Sequence, residues 1–260
     1  MNGEPLWFAV AGKGGAGKSV VAGTLARTLA RRGHRVLAVD SDPMPGLARS
    51  LGVEEPALPP LMEAAIKPVG ERWRLKPGIG PARAITRFST PAPDGVRLLQ
   101  LGKAGKDGLV PINGAVSAFL HVVHGIGELK SLQRWTVVGD LPAGPRHAAA
   151  GFSPYARLYV IIAEAGSQSA LTARRIARLA REHRAAEVLL VANKVADGGE
   201  VERIASLVGE PVAVAIPDDP AVARAERDGA ALLDADPDAP AVRAIERLAD
   251  ALTARRLHVP

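Results

Sequence analysis

The sequence predicts an α/β protein built on a mostly parallel, twisted sheet of about seven to eight strands with helices on both faces. Three observations carry this. Short apolar runs alternate along the chain with amphipathic segments of helical period. The runs are continuous in Val, Ile and Leu instead of alternating with polar residues, the pattern of strands covered on both faces. A glycine loop joins the first run to the first helical segment.

In chain order, the run 6–11 is long enough for one buried strand, and a helix near 17–32 follows with Val21, Leu25, Ala26 and Leu29 at helical spacing. Further strands are expected at 36–39, 96–101, 135–138, 158–163, 188–192 and 212–216. Further helices are expected near 113–131, 168–184, 199–208, 219–228 and 240–256. The stretch 52–95 is irregular, rich in proline and glycine, and carries Arg72, Trp73 and Arg74. Long insertions of this kind in a compact α/β domain serve as lids or contact surfaces. No repeat or linker divides the chain, so residues 1–260 read as one domain carrying that insertion.

A chain of 260 residues can bury a full core. It contains no cysteine, which excludes a disulfide framework, a thiol nucleophile and a thiolate metal site. The N-terminal segment lacks a basic leader and no apolar stretch approaches about 18 residues, so a soluble, cytoplasmic protein without integral membrane association is expected. The formal charge is +6. Arg174, Arg175, Arg178, Arg181 and Arg184 are interleaved with alanine and leucine, and no aromatic residues accompany them. They read first as a solvated helix face and second as a DNA-binding patch.

Gly12 to Ser19 matches G-x-x-x-x-G-K-[ST] in the strand-to-helix context that motif requires. Glycines at 12, 14, 15 and 17 let backbone N–H groups converge on phosphate oxygens without Cβ interference, and the following helix adds its positive end. The expected nucleotide-binding set is Gly12, Lys13, Gly14, Gly15, Ala16, Gly17, Lys18, Ser19 and Val20. Lys18 would neutralise the β/γ-phosphates and the Ser19 hydroxyl would ligate Mg²⁺.

The remaining chemistry belongs at the carboxyl ends of the strands, where open α/β sheets bind ligands. Asp40-Ser41-Asp42-Pro43 ends the second strand: Asp42 would orient or activate a water, and Asp40 would help hold Mg²⁺ directly or indirectly. Asp140 ends the fourth strand and would act on Mg²⁺ through a water. The Pro142-Ala143-Gly144 turn would bring the Gly144 N–H to the γ-phosphate. Asn193 offers an amide to a purine edge, and Pro217 and Asp218 would wall the base. The ordinary readings beside these are a helix cap for Asp42 and a turn residue for Asn193.

Lys13 as a second lysine in the loop, Asp42-Pro43, the segment 140–144 and Asn193-Lys194 resemble the deviant Walker ATPases among the P-loop NTPases. That class includes the ParA/MinD positioning proteins, nitrogenase iron protein and the ArsA/Get3-type ATPases. Within it, segments 35–43, 95–102, 172–179 and 217–222 are similar to the CooC-type accessory ATPases of carbon monoxide dehydrogenase. The resemblance implies ATP and Mg²⁺ as ligands and hydrolysis to ADP and phosphate. It also implies a homodimer bridged by ATP, in which Lys13 reaches the partner's phosphates and joins Lys18, Asp42 and Asp140 in the catalytic set. The implied role is a switch acting on a protein client in assembly, maturation or activation of another enzyme. The alternative is a ParA/MinD-type positioning ATPase that binds DNA or another surface as its ATP dimer.

Two departures qualify the resemblance. The Cys-x-Cys metal pair of CooC-type proteins has no counterpart near 108–113, which excludes thiolate nickel binding there. Val20 stands where threonine is common, removing one hydroxyl contact to the α-phosphate while its backbone N–H remains. His121 and His124, at i and i+3 on an expected helix, read as ordinary helix-face residues, with a four-imidazole site across a dimer axis as the alternative.

Overall fold

The computed structural model describes residues 5–44, 46–56, 58–103, 110–149, 151–184 and 186–255. In chain order the elements are β1 (Trp7–Gly12), α1 (Lys18–Arg31), β2 (Arg35–Asp40), α2 (Leu47–Leu51), β3 (Ala65–Ile66), β4 (Arg74–Leu75), α3 (Pro81–Phe88), β5 (Thr90–Pro91), β6 (Arg97–Gln100) and α4 (Val110–Gly125). They continue with β7 (Trp135–Asp140), α5 (Arg146–Ala149), β8 (Leu158–Ala163), α6 (Ser167–Arg184), β9 (Glu187–Val195), α7 (Gly198–Val208), β10 (Val212–Pro217), α8 (Pro220–Asp228), α9 (Leu232–Ala235) and α10 (Pro240–Thr253).

Eight strands form one sheet in the order β10-β9-β8-β1-β7-β2-β6-β5, parallel except for β5, which runs against β6. Phe8, Val10, Ala38, Val138 and Val160 point to one face and pack with Leu25 and Leu29 of α1 and Ile245 and Leu248 of α10. Trp7, Ala9, Leu37, Val137 and Ile161 point to the other, against Phe119 and Val122 of α4 and Ile176 of α6. Because successive residues alternate faces and both faces are covered, every residue of β1 and β8 is buried. This is the physical origin of the continuous apolar runs. Each fully buried side chain of this size contributes roughly 1.5–3 kcal/mol relative to exposure.

The seven expected strands and six expected helices are all present, with boundaries shifted by a few residues. Two segments differ from the sequence expectation. The stretch 52–95 is more ordered than its proline and glycine content implies: α3 starts on Pro81 at its first turn and buries Ala84 and Ile85, and β5 joins the main sheet. The helix expected over 113–131 stays α-helical only to Gly125, and 3₁₀ turns at 126–128 and 130–132 complete the connection. Among the described residues, no helix is long and apolar enough to cross a membrane.

Candidate functional site

β1 lies at the centre of the sheet between β8 and β7, so the loop leaving it emerges where neighbouring strand ends surround it. Gly12 approaches β8 so closely that a Cβ would sit 2.5 Å from the Ile162 carbonyl oxygen. Gly15 and Gly17 have φ of 80° and 89°, in the left-handed region that favours glycine. Two loop carbonyls are held from behind. Asn193 Nδ2 donates to the Ala16 oxygen at 2.7 Å, and Lys194 Nζ donates to the Gly15 oxygen at 2.8 Å while pairing with Glu164 at 2.9 Å. Lys194 itself sits at φ 57°, strained for a side-chain-bearing residue. Turning these carbonyls towards β9 leaves loop N–H groups facing the opposite side, the arrangement that binds anions. No side chain caps the N-terminus of α1 and no acid lies in its first turn, so its N–H groups are also open. Lys18 is buried and donates from Nζ to the Lys13 oxygen at 3.3 Å, whereas Lys13 is exposed.

Beside the loop lies a row of polar side chains. Asp40 pairs in register with Asp140 on β7 and with Gln100 on β6, so all three project from the same face. Their exposures are 0%, 1% and 1%. Asp40 accepts the N–H groups of Asp42 at 3.0 Å and Leu47 at 3.2 Å, clamping the loop between β2 and α2. Asp42 is half-buried and accepts from the Met44 N–H at 2.9 Å. Asp140 carries a carboxyl pushed up to about 6, chiefly by burial; the nearby Ser19 hydroxyl and the charge of Lys18 oppose the shift, and the charge of Asp42 adds to it. Asp40 is raised well above the usual carboxylate range by burial and then by the charge of Asp140. One oxygen of Asp140, the Ser41 hydroxyl and both amide atoms of Gln100 have no hydrogen-bonding protein group. The turn after Asp140 seats on the loop, with the Gly144 N–H donating to the Gly12 oxygen at 3.0 Å. A free carboxylate oxygen beside a serine hydroxyl is a hard-oxygen donor set of the kind Mg²⁺ takes, so these residues fit that ion.

A cavity of about 230 Å³ opens next to the loop, lined by Gly17, Val20, Asn193, Pro217, Asp218 and Ile245 among others. The amine of Asn193 is spent on Ala16, which leaves its carbonyl oxygen for a ligand. A second cleft of about 350 Å³ continues past Val20 along α1, where Ser19 and Arg49 line it. Asp219 fixes the wall between β10 and the last helix: its carboxylate accepts from Ala221, capping α8, and from Ala241 at the start of α10, each at 2.9 Å.

The residues nominated from sequence therefore converge at the carboxyl ends of β1, β2, β7, β9 and β10. Sequence reasoning assigned no supporting role to Lys194 and Glu164 under the loop or to Gln100 in the carboxylate row, and it placed Asp219 at the end of the last strand without the double cap it makes, although its place before Pro220 is a helix-start signal. His121 and His124 are exposed on α4, and His124 Nε2 lies 3.0 Å from the Gly151 carbonyl oxygen. Among the described residues no group of three or more His, Asp or Glu side chains is arranged to hold a metal ion. Of the positions 108–113, where a Cys-x-Cys pair would be expected, 108 and 109 lie outside the described residues and 110–113 open α4.

Residues 7–233 match the model of the CobQ/CobB/MinD/ParA nucleotide binding domain. The carbon monoxide dehydrogenase accessory protein CooC of Rhodospirillum rubrum is 30% identical over 248 residues, covering 88% of this chain and 90% of that protein. An uncharacterized ATP-binding protein of Methanocaldococcus jannaschii is 30% identical over 202 residues, 72% of this chain and 74% of that one. Among solved structures, the septum site-determining protein MinD of Pyrococcus horikoshii, complexed with Mg-ADP, superposes with a TM-score of 0.74 at 18% identity, covering 95% of each chain. At that identity the likeness speaks for the fold. Matched over most of its length by the family model, the chain belongs to the CobQ/CobB/MinD/ParA nucleotide-binding family.

Proposed function

We propose that the protein is a Mg²⁺-dependent ATPase that works as a dimeric switch on a protein client, in assembly, maturation or activation of another enzyme, as one domain over 1–260. The observation that carries this reading is the buried row of Asp40 and Asp140 at the mouth of the loop, with Ser19 and Lys18 beside it. The loop N–H groups and Lys18 hold the phosphates. Ser19 would hold Mg²⁺ with Asp140 and Asp40 beside it, and the ion would supply positive charge to the outer phosphates. Asp42 orients the attacking water through the carboxylate oxygen that the Met44 N–H does not engage. The Gly144 N–H exchanges the Gly12 oxygen for the γ-phosphate, which couples the β7–α5 turn to the nucleotide state. Asn193, Pro217 and Asp218 seat the base. Exposed Lys13 reaches the phosphates of a partner subunit. The similarity to CooC supports an accessory role.

Phosphate release and mass in solution test this together. Lys18→Ala should lose ATP binding. Lys13→Ala should keep binding but lose the ATP-dependent dimer, with turnover down by about 10³-fold. Asp42→Ala should accumulate as an ATP-bound dimer that retains a client absent from Lys18→Ala. Unchanged turnover by a monomeric Lys13→Ala protein would overturn the dimeric mechanism.

A second reading has one observation in its favour: Arg174, Arg175 and Arg178 on α6 are exposed, as a DNA-binding face requires. The trapped Asp42→Ala dimer should then bind non-specific DNA with a steep salt dependence. No binding at low salt removes that reading.

A further inference from the structure

The base cavity and the cleft along α1 share Val20, so a bound nucleotide has a defined path. With its outer phosphates on Lys18 and its base against Pro217 and Asp218, the α-phosphate and ribose must pass Val20. The isopropyl group there offers no hydrogen-bond donor. Lys18 is tethered towards the loop through the Lys13 oxygen and serves the outer phosphates.

Arg49 lines the cleft together with Ser19 and Val20. It is exposed and, among the described residues, has no carboxylate within 4.0 Å and no hydrogen bond from its guanidinium. Its backbone is well anchored: Leu47 is held by Asp40, and Ser50 packs on Gly23 of α1 so tightly that a Cβ at 23 would lie 2.6 Å from the Ser50 Cβ. A free guanidinium on a fixed turn, beside a side chain without a donor on a phosphate path, is a fork suited to two phosphate oxygens.

We infer that Arg49 is the α-phosphate ligand of this site, supplying from α2 the contact that Val20 does not make. This role rests on the nucleotide reading given under Proposed function and adds a residue outside the glycine loop to it.

Competition of AMP, ADP and ATP against a fluorescent ADP analogue, with Mg²⁺ present, tests this. Arg49→Ala should weaken all three nucleotides by a similar factor of about tenfold, because all three share the α-phosphate. Its melting temperature without nucleotide should match that of the unaltered protein. Adding a hydroxyl at the same spot with Val20→Thr should shrink the Arg49→Ala penalty, since both groups would address one phosphate. Unchanged affinities in Arg49→Ala, with Lys18→Ala still losing ADP and ATP, would overturn the role of Arg49 and leave the nucleotide reading standing. Sparing of AMP alone would overturn it equally, because Arg49 would then act on the outer phosphates. No nucleotide binding by the unaltered chain would overturn both.

Discussion

Asp140 illustrates how much a single residue is held against its own preference. Its carboxyl is buried, titrates near 6 in place of 3.8, and has an oxygen without a protein partner. The folded state therefore holds the proton over a pH range where the unfolded chain has released it. The resulting stability is fully present below about pH 3.8 and is lost as the pH rises through about 6. At about 1.4 kcal/mol per pH unit this strains the protein by about 3 kcal/mol at neutral pH. Asp140→Asn should accordingly raise the melting temperature at pH 7.5 by several degrees and leave it nearly unchanged at pH 4, while removing any further stabilisation by Mg²⁺ with ADP. A melting temperature that falls at pH 7.5 would contradict the strain. Asp40 differs in kind. Its oxygens are committed to the Asp42 and Leu47 N–H groups, so its first task is to shape the loop that carries Asp42.

Among the elements, α1 and α2 meet through a glycine, and this reverses an ordinary expectation. Glycine within a helix is destabilising relative to alanine by about 1 kcal/mol, so Gly→Ala usually helps. At Gly23 the added Cβ would lie 2.6 Å from the Ser50 Cβ and 2.8 Å from its backbone carbonyl. Gly23→Ala should therefore cost about 1–3 kcal/mol, and Gly198→Ala at the start of α7, where nothing lies within 4 Å, should be neutral or favourable. Thermal melts of the two variants separate the cases. The same contrast explains what the sequence disclosed. The central strands were legible because coverage on both faces forces continuous apolar runs, and the loop was legible because phosphate binding demands glycines at fixed spacing. α3 and β5 were obscured by Pro81, Pro91 and the surrounding glycines, whose turn signals outweigh an eight-residue helix. The ties from Lys194 to Gly15 and from Asp219 to Ala241 span 179 and 22 residues, and no local pattern encodes such pairings.

At the scale of the whole molecule, Arg27 joins regions far apart in sequence. From the middle of α1 it pairs with Asp94 at 2.6 Å and grips Asp234 of α9 through two nitrogens at 2.6 and 2.7 Å. Its side chain is 3% exposed while that of Asp234 is 46% exposed, so Arg27→Ala leaves acids that water can partly recover. The loss should be about 2–3 kcal/mol, below the ~3–5 kcal/mol of a fully enclosed pair, and urea denaturation would measure it. No change in the urea midpoint would show the network to be ornamental. The sheet's outer boundary carries a different consequence. β5 has only Thr90 and Pro91, and a proline offers no N–H to a further strand. Endless fibres made by adding folded molecules edge to edge need two open templates on each one, and here the template on the β5 side is withheld. Strand addition among native copies can proceed at most from the β10 side and stops after one step.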